Sequence, residues 1–154
     1  MPNHKTHLFG GFLVFLIALF SCISAAFFID PLIFPSLLGI CLLGALFPDI
    51  DTTSKIRYLW LVTTLFGACI CWWLFPPGLA GLLLSVGVIP LLVPHRGITH
   101  QIWFLACMAI ATGYGVTLLI PAQTDLIMLH GVFFFVGAAS HVLLDRLGSR
   151  FKRR

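Results

Sequence analysis

Six long runs of apolar residues, separated by short polar or proline-containing segments, make up most of the chain. A hydrocarbon core about 30 Å thick needs about 20 helical residues, and fewer where a helix is partly buried in protein. The pattern therefore predicts an all-α, polytopic membrane protein with about six transmembrane helices. We expect one transmembrane domain over residues 1–154, ending in a short basic cytoplasmic tail at residues 148–154. The predicted spans are Leu8–Ile29, Leu32–Phe47, Tyr58–Phe75, Leu79–Val93, Ile102–Ile120 and Leu126–Leu147.

Most of the histidines and aspartates fall at one end of these predicted helices. One pair precedes the first span, one follows the second, one lies between the fourth and fifth, and one lies near the end of the sixth. Because the chain crosses the membrane at each span, all four pairs reach the same membrane face, here called the near face. The pairs are His4 with His7, Asp49 with Asp51, His95 with His100, and His141 with Asp145.

Charge sets the expected orientation. Charged residues make up only 9% of the chain, against about 25% in soluble domains. All nine Lys and Arg residues fall on the near face, so the positive-inside rule makes that face cytoplasmic. We therefore expect a multi-pass protein of a bacterial cytoplasmic (inner) membrane, with both termini and the polar groups facing the cytoplasm. The net charge of +4 is spread over short segments, which favours contact with a membrane surface and no nucleic acid.

The near-face groups form a candidate metal site. Ionisable side chains beside membrane-length apolar segments are costly unless they are paired, which points to function. Imidazoles and carboxylates together suit zinc, manganese or ferrous iron. Seven candidates exceed the four ligands of one tetrahedral ion, so one or two divalent ions are predicted, with zinc preferred. The candidate ligands are His7, Asp49, Asp51, His95, His100, His141 and Asp145.

Two of the pairs also have a purely structural interpretation. Asp49 and Asp51 would serve equally well in a solvated loop or as a cap on the next helix. His141 and Asp145 are four residues apart and share a helix face, which suits either metal binding or a simple hydrogen bond.

Two further histidines are weaker candidates. His4 is less favoured than His7, because His7 lies nearer the apolar run. His130 lies about 16 Å deeper along the last helix than His141, at 1.5 Å per residue. We expect His130 to be a hydrogen-bonded packing residue.

Four segments of the chain resemble a known family. They read His-Leu-Phe-Gly at 7–10, Leu-Gly-Ala-Leu-Phe-Pro-Asp-Ile-Asp at 43–51, His-Arg-Gly-Ile-Thr-His at 95–100 and Ser-His-Val-Leu-Leu-Asp at 140–145. In this order, and over nearly the whole chain, they are similar to the YdjM-like family of membrane-bound, metal-dependent hydrolases. The resemblance implies hydrolytic activity and metal binding by the same seven residues.

The function expected from these features is hydrolysis of a phosphate or ester bond in an amphipathic lipid, either a phospholipid or a polyprenyl phosphate, through metal-activated water. Asp51 or Asp145 would orient the water or take its proton. Arg96 would stabilise the developing negative charge with its planar guanidinium, although it suits contact with a lipid headgroup as well. One alternative is a membrane scaffold or partner-binding protein with a structural metal site. A cation or proton transporter is less favoured, because the far half of the membrane offers only His130.

Overall fold

The computed structural model describes residues 4–51, 55–92 and 97–151, with side chains over residues 5–50, 57–92 and 97–149. The described part of the chain contains six α-helices and no strand, so the prediction of an all-α fold is confirmed. The helices are α1 (His4–Ser24), α2 (Phe34–Leu46), α3 (Lys55–Leu74), α4 (Pro77–Val88), α5 (Ile102–Leu119) and α6 (Thr124–Phe151). Short 3-10 turns precede or follow several of them, at Pro31–Ile33, Phe47–Asp51, Ile89–Leu92, Ile98–His100 and Pro121–Gln123.

Five segments of the described chain are long and apolar enough to cross a membrane. A sixth apolar segment, Pro77–Leu92, is shorter and consists of α4 and a 3-10 turn that contains Pro90. The five are Lys5–Ser24, Pro31–Ile50, Arg57–Leu74, Ile102–Leu119 and Pro121–Ser149. These lengths and compositions agree with a polytopic membrane protein.

The first helix ends earlier than the apolar pattern predicts. α1 stops at Ser24 rather than near Ile29, because Ala26 adopts a left-handed backbone with φ of 58°. The N–H of Phe27 then donates to the carbonyl oxygen of Cys22 at 3.0 Å. That bond is the closing bond of a helix C-terminus in which glycine is the usual left-handed residue. The last helix has the opposite deviation, since α6 continues to Phe151 and into the predicted tail.

Contacts within the chain divide it into two compact units. The first unit contains the chain up to Phe47 together with the part from Val132 onward, and so holds α1, α2 and most of α6. The second unit contains residues from Pro48 to Gly131, and so holds α3, α4, α5 and the first two turns of α6.

The helices of the first unit approach each other closely at glycine residues. A Cβ added to Gly11 of α1 would meet Ala45 of α2, and one added to Gly10 would meet Leu144 of α6. Helices that pack within a bilayer use small residues in this way, since close packing and not solvent exclusion holds them together. The same device joins α2 to α6, through the pair Gly44 and Gly137.

The second unit is held partly by hydrogen bonds from α3 to the end of α4 and to the 3-10 turn that follows it. Trp60 donates its indole N–H to the carbonyl oxygen of Gly87 at 3.0 Å. Arg57 donates to the carbonyl oxygen of Leu91 at 3.4 Å. Thr64 lies against Gly87, where a Cβ would overlap the threonine side chain. These contacts hold the end of α4 against α3, before the part of the chain that contains His100.

Candidate metal centre

The first unit brings together three of the predicted metal ligands. His7 lies in the first turn of α1, and His141 and Asp145 lie one turn apart on α6. The Nε2 atom of His7 is 3.5 Å from one carboxylate oxygen of Asp145, and the Nε2 atom of His141 is 3.8 Å from the other. Both histidines are almost completely buried, whereas 18% of the Asp145 side chain is exposed. Asp145 is thus the part of the cluster that is open to its surroundings.

The orientation of the His141 ring is set by a backbone carbonyl on α2. Its Nδ1 atom lies 2.7 Å from the carbonyl oxygen of Ala45. A carbonyl oxygen only accepts hydrogen bonds, so Nδ1 carries the proton and donates it. In the neutral ring, the lone pair then lies on Nε2, on the side of Asp145. Metal-binding histidines usually have this arrangement, with the second ring nitrogen donating to a carbonyl or carboxylate.

The two histidine rings are stacked on each other. Their centroids are 3.7 Å apart and their planes are inclined by 16°. Two positively charged imidazoles at this distance would repel each other by about 4 kcal/mol, even at an effective dielectric constant of about 20. This repulsion opposes protonation of both rings at the same time.

The distances between the ligand atoms are compatible with a divalent cation. Two ligand atoms of a tetrahedral zinc ion, each about 2.0–2.1 Å from the metal, lie roughly 3.3 Å apart. The separations of 3.5 and 3.8 Å between the histidine nitrogens and the Asp145 oxygens are close to that value. One ligand atom from each of the three residues lies within 4.8 Å of the other two. His7, His141 and Asp145 therefore form a mixed nitrogen and oxygen set of suitable size, although their role as ligands stays a prediction.

The second unit brings together two other predicted ligands. Asp49 lies in the 3-10 turn after α2, and His100 ends the 3-10 turn before α5. A carboxylate oxygen of Asp49 and a ring nitrogen of His100 lie within 4.8 Å of each other. The buried Thr99 places its hydroxyl oxygen 3.3 Å from Nδ1 of His100. Both half-buried residues thus have ligand atoms at a distance that one cation could bridge.

The remaining candidates fall where the structure gives no side-chain description. His95 and Arg96 lie outside the described residues, and so do the side chains of Asp51 and His4. His130 is described, and its Nδ1 atom lies 2.7 Å from the carbonyl oxygen of Leu126, one turn earlier in α6. This hydrogen bond within the helix agrees with the packing role expected for His130.

Sequence reasoning did not identify the atoms that hold His141 in place. The Ala45 carbonyl is a backbone group, and no residue type marks it. Gly44 and Gly137 let α2 and α6 approach each other there, and in the sequence they are only a weak indication of such a contact. A glycine inside a long apolar helix costs about 1 kcal/mol relative to alanine, so it usually has a packing or functional reason.

The comparison with protein families agrees with the resemblance of the sequence motifs. A family model described as YdjM inner membrane protein matches residues 1–150, which is nearly the whole chain. No curated protein and no solved structure matches the chain.

Proposed function

The chain belongs to the YdjM inner membrane protein family, and on this premise we propose that it is a membrane-embedded, metal-dependent hydrolase. Its substrate is an amphipathic phospholipid or other phosphorylated lipid, cleaved at the phosphate or an adjacent ester bond. The proposal includes one transmembrane domain over residues 1–154. It also includes a cytoplasmic location for both termini, the basic tail at 148–154 and the metal site.

The buried cluster of His7, His141 and Asp145 is the observation that carries this proposal. Ionisable side chains within membrane helices are expensive and generally mark a functional site. Here two imidazoles are almost fully removed from solvent, and both face one carboxylate. A packing role alone would be served more cheaply by apolar residues. The cluster is therefore best explained as a binding site for one or two divalent cations, with zinc preferred over manganese or iron.

The residues of the cluster have distinct roles in the proposed reaction. His7 and His141 bind the cation through nitrogen, and Asp145 binds it or orients the attacking water from its exposed edge. A divalent cation in such a site lowers the pKa of bound water and stabilises negative charge on a phosphoryl oxygen. Further ligands in this proposal are Asp49, Asp51, His95 and His100. Asp51 is a second candidate to take the proton of the water, and Arg96 holds the phosphate.

The position of the site along the helices favours a lipid substrate. His7 lies near the start of α1 and Asp145 near the end of α6, so the cluster lies at the level of the headgroups. A lipid can reach this level sideways from the bilayer, whereas a soluble phosphoester gains nothing from six membrane helices. The basic residues Lys5 and Arg146 lie within two residues of the cluster in sequence and favour an anionic headgroup.

Metal analysis of the purified protein tests the site. We expect bound zinc, manganese or iron in the wild type, and a loss of that metal in His7→Ala and Asp145→Asn. His130→Ala is the matched control, because it removes a membrane histidine outside the cluster and should keep the metal. If both cluster variants retain the wild-type metal content, these residues do not bind it.

Incubation with a total lipid extract tests the reaction. We expect one lipid species to be consumed by the metal-loaded wild type, and not by the chelated protein or by Asp145→Asn. Mass spectrometry of the extract identifies the substrate and the product. Turnover of a water-soluble phosphoester with no metal-dependent change in any lipid would contradict a lipid substrate.

A structural metal site in a scaffold or partner-binding protein is the second candidate function. The nearly complete burial of both histidines favours it, since structural sites are closed and catalytic ones keep an open position. Absorption spectroscopy at the metal edge separates the two candidates. Four protein ligands with no water would support the scaffold, whereas a water ligand would support the hydrolase.

A further inference from the structure

Helices α2 and α6 approach each other at a separation that only glycine permits. A Cβ at Gly137 would overlap the carbonyl oxygen of Cys41, and a Cβ at Gly44 would overlap the carbonyl oxygen of Phe134. These are backbone atoms of regular helices, so they cannot rotate away as the end of a side chain can. Any larger residue at either position must therefore push the two helices apart.

His141 makes its hydrogen bond one helical turn beyond this contact. It follows Gly137 by four residues, so both lie on the same face of α6. On α2 the same spacing separates Cys41, which faces Gly137, from Ala45, which accepts the hydrogen bond. Ala45 lies in the last turn of α2. Pro48, three residues later, has no N–H to offer it.

We propose that Gly137 and Gly44 are positioning residues for His141. Their contact holds the Ala45 carbonyl within reach of Nδ1, which fixes the proton on Nδ1 and leaves the Nε2 lone pair directed at Asp145. If the helices move apart by about 1 Å, the N···O distance of 2.7 Å exceeds the range of about 2.7–3.2 Å for such bonds. The ring would then be free to carry its proton on either nitrogen.

This inference rests on the proposed function only in treating Nε2 as a metal ligand. Outer-shell partners of metal-binding histidines typically change metal affinity by about 10–100-fold when they are removed. We expect a loss of this size for Zn²⁺ in Gly137→Ala. The tautomer of His141 gives a second readout, which needs no metal.

Nitrogen NMR of the full-length, metal-free protein labelled with ¹⁵N-histidine, in micelles at alkaline pH, tests the proposal. The His141 signals are assigned by their absence in His141→Asn. In the wild type we expect the proton on Nδ1. In Gly137→Ala we expect both tautomers, together with weaker binding of Zn²⁺ added alone. Gly39→Ala is the matched control on α2, because a Cβ there meets nothing within 4 Å.

The outcomes separate this inference from the proposed function. A folded Gly137→Ala or Gly44→Ala variant that keeps the wild-type tautomer would overturn the inference. If neither variant folds, the wild-type spectrum decides, since a proton fixed on Nε2 overturns it and a proton on Nδ1 supports it. Loss of the tautomer preference in Gly137→Ala, in a protein whose wild type binds no Zn²⁺, would support the inference and contradict the metal-dependent function.

Discussion

Substituting His141 in two ways separates its hydrogen bond from its proposed role as a metal ligand. The side-chain amide nitrogen of Asn takes approximately the place of the imidazole Nδ1. His141→Asn can therefore still donate to the Ala45 carbonyl, which lies 2.7 Å from Nδ1. Neither Asn nor Ala replaces the Nε2 atom, which is 3.8 Å from Asp145. We expect both variants to lose the metal, and only His141→Ala to lose the hydrogen bond as well.

The contacts of His141 give the expected size of the effect on stability. Removing the donor leaves the buried Ala45 carbonyl without its partner from α6, at a cost of about 1–3 kcal/mol. Loss of the His141 ring, which stacks on His7, costs about 0.5–1.5 kcal/mol more. His141→Ala should therefore lower the free energy of unfolding by about 1.5–4.5 kcal/mol. His141→Asn keeps the donor to Ala45 but loses the stacking and the Nε2 atom facing Asp145, and it should lower the free energy of unfolding by about 1 kcal/mol.

Unfolding of metal-free protein in mixed micelles, followed by circular dichroism, measures these differences, and elemental analysis measures the metal. His130→Ala serves as the control, since its hydrogen bond lies within α6 and its metal content should not change. Equal destabilisation by Asn and Ala would show that the bond to Ala45 contributes little to stability. Full metal content in His141→Asn would show that Nε2 is not a ligand.

Three further substitutions test the packing by the same unfolding measurement. Ala26→Gly should raise the free energy of unfolding by about 1 kcal/mol, because glycine adopts the left-handed backbone at φ of 58° without strain; a loss of stability would contradict this helix end. Gly87→Ala should cost about 1–3 kcal/mol through overlap with Thr64, whereas Gly81→Ala, where a Cβ meets nothing within 4 Å, should cost nothing. Trp60→Phe should cost about 1 kcal/mol by removing the donor to the Gly87 carbonyl, and unchanged stability would show that water or lipid replaces that bond.

The helices could be predicted from the sequence because membrane helices need long apolar runs, and such runs are visible without a structure. The exact ends could not. α1 ends five residues before its apolar run does, because Ala26 turns the backbone, and alanine is not a residue that usually signals a turn. α6 extends past its apolar run to Phe151, since basic residues in the last turns of a helix do not disrupt it.

The candidate site could be predicted only in part, for a similar reason. The spacing of His141 and Asp145 fixes a shared helix face, and the structure places them 3.8 Å apart. His7 comes from the opposite end of the chain, and only the packing of α1 against its neighbours brings it to Asp145. The acceptor on Ala45 is a backbone atom, so its contribution depends on where α2 ends and not on which residue stands there.

The distance along the chain between His7 and its partners has a consequence for biosynthesis. His7 enters the membrane with the first helix, whereas His141 and Asp145 follow with the last. At about 5–20 residues per second, translation of the intervening chain takes roughly 7 to 27 seconds. During this interval His7 has neither its ring partner nor its carboxylate. The three side chains can meet only after α6 has inserted, so a metal held by all three could bind only at this late stage of synthesis.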